Sequence, residues 1–90
     1  MVWQIKYSEN IAKTLKKITP SDRQRIKRYI ENRLITAENP TILGKPLQGK
    51  LGDYIRWRVG DYRIIGQIDE QQITILIIKI GHRKQVYQHF

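Results

Sequence analysis

Apolar and polar positions recur with different periods along the chain, and each change of period marks a new element. The stretch Val2–Tyr7 is short and β-prone, which predicts a first strand. Beyond it Ile11, Leu15 and Ile18 recur at helical spacing, and Ser8 is a candidate N-cap. The chain is therefore predicted to open with a strand followed by a helix.

The clearest helical pattern begins at Thr19, which is predicted to be the N-cap of a second helix. Pro20 suits the first helical position, and Asp22 follows Thr19 by three residues, as in a capping box. A single apolar stripe follows, made of Ile26, Tyr29, Ile30 and Leu34. Because a residue before proline avoids helical geometry, Asn39-Pro40 is expected to end this helix. The two helices form a predicted helical hairpin.

The second half of the chain predicts a loop and three strands. The loop is Thr41–Gly52, the strands are about Tyr54–Val59, Tyr62–Ile68 and Ile73–Ile80, and Asp69–Gln72 is a turn. The last strand is almost wholly apolar, which is typical of an interior strand covered on both faces. The order β-α-α-β-β-β predicts an α+β fold. Its helical hairpin packs on a mostly antiparallel four-stranded sheet, and a short helical turn closes the chain.

The predicted hairpin between the first two of these strands gathers arginines. Gly60-Asp61 suits a two-residue loop, which pairs Arg58 with Arg63 and sets Arg56 opposite Ile65. Strand alternation directs one set of side chains towards the helices: Ile55, Trp57, Val59, Tyr62, Ile64 and Ile68. It directs a second set outwards: Tyr54, Arg56, Arg58, Arg63 and Gln67.

This outward basic surface has two interpretations. Like charges that face each other across strands are destabilising, so an anion is expected above them. That anion is a carboxylate of the chain, an acidic segment of a partner, or phosphate, which guanidinium binds well. The alternative is an ordinary solvated face whose arginine stems cover apolar surface.

Composition narrows the possible functions. The 90 residues suit one domain, 1–90, and 17 Lys and Arg against 8 Asp and Glu give a net charge of +9. Such a charge favours nucleic acid or an acidic protein as partner, the alternative being solubility alone. With no cysteine and two histidines, we expect no disulfide, metal or cofactor. The N-terminus lacks a signal-peptide pattern and the apolar run Ile73–Ile78 is too short for a bilayer, so a cytoplasmic protein is expected.

The C-terminus adds further candidate site residues after Gly81. His82 is a residue type that titrates near neutrality, Arg83 suits a phosphate, and Tyr87 suits stacking on a base. The alternative is a frayed basic tail.

Two segments together resemble the RelE/ParE superfamily of bacterial toxins, especially its RelE-like members. They are "KPLQGKLGDYIRWRVGDYRII" (Lys45–Ile65) and "IGHRKQVY" (Ile80–Tyr87). The resemblance implies the RelE/microbial-RNase-like fold and a toxin that cuts mRNA in the ribosomal A site without a metal. It also implies a cognate antitoxin with an acidic binding segment, and operator DNA reached only through the antitoxin complex.

The resemblance also suggests roles residue by residue. Arg63, Arg83 and Tyr87 match functional positions of the family, whereas Arg56 stands where well-known members carry lysine. The implied catalytic residues are Arg56, Arg63, His82, Arg83 and Tyr87. The implied RNA and phosphate contacts are Lys45, Lys50, Arg58 and Lys84.

The substitution at Arg56 leaves the general base open. Guanidinium does not lose its proton near neutral pH, so Arg56 cannot replace a basic lysine. His82, Lys50 and an ionised Tyr87 remain, of which His82 is favoured as the acid or base. Two other functions also remain: a ParE-like toxin that acts on DNA gyrase without a nuclease site, and a basic adaptor without toxicity.

Overall fold

A computed structural model of the chain describes residues 2–47 and 54–82 and contains helices on one face of a mixed sheet. Its elements are β1 (Gln4–Tyr7), α1 (Ile11–Lys17), α2 (Pro20–Arg28), a π-helical segment (Tyr29–Leu34), a 3₁₀ turn (Pro40–Leu43), β2 (Lys45–Pro46), β3 (Ile55–Val59), β4 (Tyr62–Asp69) and β5 (Thr74–His82). The strand order is β1-β5-β4-β3-β2, with β1 parallel to β5 and the other pairs antiparallel. The α+β class is confirmed. No helix in the described ranges is long and apolar enough to cross a membrane.

The sheet has five strands, whereas the sequence predicted four. The additional strand, β2, lies inside the predicted loop Thr41–Gly52 and pairs Lys45 with Arg56 and Pro46 with Ile55. Two residues show no alternating pattern, and proline is tolerated in strands mainly at a sheet edge. Pairing with β3, not local propensity, therefore creates this strand. Residues 48–53 of the predicted loop and the predicted C-terminal helical turn lie outside the described residues.

The start of α2 was predicted correctly from the sequence, whereas the start of α1 was not. Thr19 is the N-cap of α2 with Pro20 in the first turn, as predicted, and the Thr19 hydroxyl donates to Asp22 Oδ2 at 3.1 Å. The predicted Ser8 cap is wrong, because Asn10 precedes α1. The Ser8 hydroxyl instead donates to the Ile78 carbonyl at 3.2 Å, which ties the end of β1 to β5.

The second predicted helix consists of α2 and the π-helical segment that continues it, and it ends at Leu34, earlier than the predicted stop at Asn39. Its last six residues are π-helical, and the Ile35 amide bonds to the Ile30 carbonyl at 3.1 Å. Trp3 binds two carbonyls that follow the helix. Its amide donates to the Ile35 carbonyl at 2.8 Å, and its indole donates to the Ala37 carbonyl at 2.9 Å. These tertiary hydrogen bonds replace further helical ones, so the local pattern overestimates the helix.

The core lies between the helices and the inner face of the sheet. Its buried members are Trp3, Ile11, Ile18, Ile26, Ile30, Leu34, Ile55, Trp57, Ile64, Ile75, Ile77 and Ile80. A β-bulge lets β5 contribute residues of both parities, because the pairing shifts between Ile65↔Lys79 and Gly66↔Ile77. β5 is interior, as predicted, but on its outer side Leu76 is only half-buried.

Candidate functional site

The β3–β4 hairpin has the register that its sequence predicted. Gly60 occupies the turn with φ +58°, a conformation that glycine adopts without strain. Arg58 pairs with Arg63, and Arg56 pairs with Ile65. Trp57 is completely buried in the core, so its neighbours in sequence point to the opposite side of the sheet. The sheet thereby gathers the three arginines on its outer surface, named here the arginine face.

The three members of the arginine face differ in exposure. Arg58 is exposed and Arg56 is half-buried, whereas Arg63 is only 8% exposed. The Arg63 Nη1 donates to the Tyr62 carbonyl at 3.3 Å, a contact within its own strand. Ile65, which lies beside Arg56, is fully buried. Guanidinium donors on this surface therefore sit over an apolar base, where hydrogen bonds to an anion are stronger than in bulk water.

The edge strand β2 extends this surface with Lys45, which pairs directly with Arg56. A cavity of about 300 Å³ opens beside the pair. It is lined by Ile42, Leu43, Gly44, Lys45, Arg56 and Arg58. Among these described side chains three are cationic and none is a carboxylate, so this part of the lining favours an anionic group.

A further cation, Lys79, belongs to the same surface and was missed from the sequence. It pairs with Ile65 and therefore faces outwards, half-buried, beside the arginines. The apolar sequence of β5 does not indicate which side of the sheet Lys79 faces, because the bulge shifts the alternation between Ile77 and Lys79. A bulge of this kind leaves no signal in the sequence of one strand alone.

His82 lies on the other side of the sheet. It pairs with Tyr62, and the two rings meet edge to face with centroids 5.8 Å apart. With Asp22 and Arg25 of α2, it lines a cavity of about 260 Å³ on the helical side. The described residues thus bring together Arg56, Arg58 and Arg63 with Lys45, and they place His82 apart from them.

Four predicted site residues lie outside the described residues: Lys50, Arg83, Lys84 and Tyr87. Within residues 2–47 and 54–82, no three His, Asp or Glu side chains gather as a metal site would need.

Comparison with known proteins gives a family match along almost the whole chain. Residues 5–87 match the family model described as the ParE toxin of type II toxin–antitoxin system, parDE. The curated Toxin RelG of Mycobacterium tuberculosis is 33% identical over 52 residues. That alignment covers 58% of this chain and 60% of RelG, so the chain spans about three-fifths of that relative.

Two solved structures described as RelE or RelBE have a similar fold. The toxin–antitoxin complex RelBE2 of M. tuberculosis matches with a TM-score of 0.84 at 24% identity, covering 92% of this chain and 93% of that chain. A mutant of the E. coli toxin RelE in the free state matches with a TM-score of 0.73 at 21% identity, covering 93% and 86%. At these identities the likeness establishes the fold alone.

Proposed function

The chain belongs to the ParE toxin family, within the RelE/ParE superfamily, and we propose that it is a ribosome-dependent mRNA endonuclease that cuts in the A site. It is the toxin of a type II toxin–antitoxin system. The observation that carries the proposal is the arginine face with Lys45 at its edge. Similarity to Toxin RelG and the resemblance of the sequence to RelE-like members support the nuclease over other members of the superfamily.

The proposed reaction is a transesterification within the RNA strand. The 2′-oxygen attacks the neighbouring phosphorus, the bond to the 5′-oxygen breaks, and a cyclic phosphate and a 5′-hydroxyl result. Negative charge develops on the non-bridging oxygens of the phosphorane, where fixed hydrogen-bond donors stabilise the transition state. Arg56 and Arg63 are assigned to this charge, and Arg58 and Lys45 to the flanking phosphates.

Two proton transfers complete the reaction: one removes the 2′-hydroxyl proton and one supplies a proton to the leaving 5′-oxygen. A guanidinium cannot serve as the base at neutral pH. The family resemblance assigns Arg83 to the leaving-group side and Tyr87 to stacking on the base. The base is Lys50, Tyr87 or His82. Of these, His82 would have to act from the side of the sheet that faces the helices.

We also propose an antitoxin of the RelB kind as partner, with an acidic segment that covers the arginine face. Carboxylates would occupy the positions that RNA phosphates take during cleavage, which explains neutralisation by competition. The toxin would bind operator DNA only as part of the complex with the antitoxin. Both proteins would be cytoplasmic.

The second candidate function is inhibition of DNA gyrase. The matched family model carries the ParE description, and this observation favours the gyrase target. The two functions differ in what the arginine face does. In the nuclease it binds mRNA, whereas in the gyrase inhibitor it binds only the antitoxin.

Mapping of mRNA 3′ ends on programmed ribosomes tests the proposal directly. The purified protein is added to a defined mRNA with and without ribosomes, and Arg56→Gln is compared with Arg28→Gln, an exposed arginine of α2. Cuts within the A-site codon that need ribosomes and are lost in Arg56→Gln alone would support the nuclease. Intact mRNA with gyrase-dependent DNA breaks would establish the second candidate instead.

A further inference from the structure

An exposed apolar side chain stands at the edge of the arginine face. Ile42 is 77% exposed, more than any other large hydrophobic side chain in the described residues. It belongs to the 3₁₀ turn Pro40–Leu43 and lines the cavity that also contains Lys45, Arg56 and Arg58. We name the turn together with Gly44 the Ile42 shelf.

Three hydrogen bonds hold the Ile42 shelf in its conformation, and one of them comes from β3. The buried Trp57 indole donates to the Pro40 carbonyl at 3.0 Å, and the Asn39 side chain accepts from the Thr41 amide at 3.1 Å. The Ile42 amide in turn donates to the Asn39 carbonyl at 3.1 Å. The exposure of Ile42 is therefore fixed by the fold and does not reflect a loose loop end.

Gly44 fixes how closely the shelf approaches the sheet. A Cβ at this position would collide with the Arg56 carbonyl oxygen and lie 2.8 Å from Trp57 Cδ1. Only glycine permits this approach, and Ile42 then lines the same cavity as Arg56 and Arg58. The chain thus positions an apolar surface and cations around one small cavity.

This combination matches the chemistry of a nucleotide. Proteins that bind single-stranded nucleic acid pair a cationic groove for the backbone with aromatic side chains on which bases stack. Aliphatic side chains such as isoleucine also pack against bases, as in proteins that wedge apart the base steps of DNA. A volume of about 300 Å³ is at the lower end for small ligand sites, as one nucleotide requires. We propose that Ile42 packs against the base of one mRNA nucleotide whose phosphate is held by Arg56, Arg58 and Lys45. The inference rests on the proposed function and adds a residue that contacts the base.

The test is the affinity of the purified toxin for a short single-stranded RNA, measured by fluorescence anisotropy at several salt concentrations. Ile42→Ala is compared with Val2→Ala, since Val2 is 71% exposed and precedes β1 at the opposite edge of the sheet. Loss of one packed aliphatic side chain is expected to weaken binding by about fivefold. The dependence of affinity on salt is expected to stay the same, and Val2→Ala is expected to bind like the unmodified toxin.

RNAs with an abasic site at each position in turn locate the contact. At one position, loss of the base should weaken the unmodified toxin, and Ile42→Ala should then bring no further loss. Equal losses for Ile42→Ala at every abasic position, or no detectable binding by the unmodified toxin, would overturn the inference. So would an Ile42→Ala variant that binds RNA normally but loses affinity for an acidic antitoxin peptide.

Cleavage on programmed ribosomes is scored separately. Normal cleavage with normal RNA binding by Ile42→Ala rejects the base contact and leaves the nuclease proposal intact. RNA binding that depends on Ile42, without any cleavage, rejects the nuclease and keeps the contact.

Discussion

Arg58 and Arg63 face each other directly across the β3–β4 hairpin, so two residues of the proposed RNA site oppose stability at this point. Like charges at such a cross-strand pair are destabilising by a few tenths of a kcal/mol up to about 1 kcal/mol. Arg58→Gln keeps a long polar side chain and removes one charge. We expect it to raise the free energy of unfolding by about 0.5 kcal/mol, measured by urea denaturation. If the proposed function holds, the same variant should also bind RNA more weakly, because one proposed phosphate contact is removed.

Arg28→Gln is the matched control, since Arg28 is an exposed arginine of α2, a helix on the side of the sheet opposite the arginine face. It is expected to change neither stability nor RNA affinity appreciably. If Arg58→Gln lowered the unfolding free energy, the exposed guanidinium would be a net stabilising group and the repulsion argument would fail.

His82 provides a second prediction for a single residue. The sequence favoured it as acid or base, whereas its ring packs on Tyr62 at the side of the sheet that faces the helices. Because Arg63 points to the other side, we expect His82→Gln to cut mRNA on ribosomes within about twofold of the unmodified rate. A loss of a hundredfold or more in a folded variant would restore the acid–base role of His82. A shift in the pH dependence of the rate would accompany it.

Single side chains were predictable where they depend on local alternation. The pairing of Arg58 with Arg63 followed from the two-residue turn at Gly60-Asp61, and the structure confirms it. The outward position of Lys79 and the burial of Arg63 could not be predicted in this way. The first depends on a bulge between two strands, and alternation within one strand does not indicate the second.

At the scale of elements, the hairpin turn depends on the left-handed backbone of Gly60. An alanine there must hold φ near +58°, and its Cβ would lie 3.3 Å from Arg25 Nη2. We expect Gly60→Ala to lower the unfolding free energy by about 1 kcal/mol, with an unchanged urea m-value. Gly60→Asn, which tolerates this backbone region better, should lose less. Equal losses in both variants would mean that side-chain crowding, not backbone strain, controls the turn.

Elements in which the apolar positions repeat several times were predicted well from the sequence, and short or irregular elements were not. Of the predicted stripe, Ile26, Ile30 and Leu34 are buried as their spacing indicated, whereas Tyr29 is half-buried. The π-helical end of that helix has the same apolar pattern, but where it ends depends on the hydrogen bonds that Trp3 makes with the following carbonyls. β2 has two residues and exists through its partner strand. Tertiary contacts determine both, so local propensity carries no information on them.

Two partly buried tyrosines, Tyr7 of β1 and Tyr29 of the π-helical segment, predict that the free energy of unfolding depends on pH. Burial raises the pKa of Tyr7, with the Glu31 carboxylate raising it further. Burial also raises the pKa of Tyr29, which Arg33 partly offsets. Above about pH 10 the unfolded chain loses these protons before the folded one does, so stability falls as pH rises.

Replacement of both tyrosines by phenylalanine should flatten this fall. The measurement is the urea midpoint at about pH 8 and about pH 10.5 for the unmodified chain and for Tyr7→Phe/Tyr29→Phe. The double variant is expected to lose less stability between the two pH values. An identical loss would assign the dependence to other groups, such as lysines.

At the scale of the whole molecule, positive charge is not confined to the arginine face. The helical hairpin, residues 8–35, carries eight lysines and arginines against three acidic residues. Because it covers the opposite side of the sheet, the protein presents cations on both sides. Net charge alone therefore attracts RNA without determining which side binds it.

The dependence of RNA affinity on salt distinguishes the two sides. Each phosphate contact to a single strand contributes about 0.7 to the slope of log affinity against log salt concentration. Arg56→Gln/Arg58→Gln should therefore lower the slope by about 1.4. Lys16→Gln/Arg28→Gln, which removes the same charge from exposed positions of the helical hairpin, should leave the slope nearly unchanged. Equal slopes for the two double variants would mean that RNA binds diffusely to both sides, and the arginine face would lose its special role.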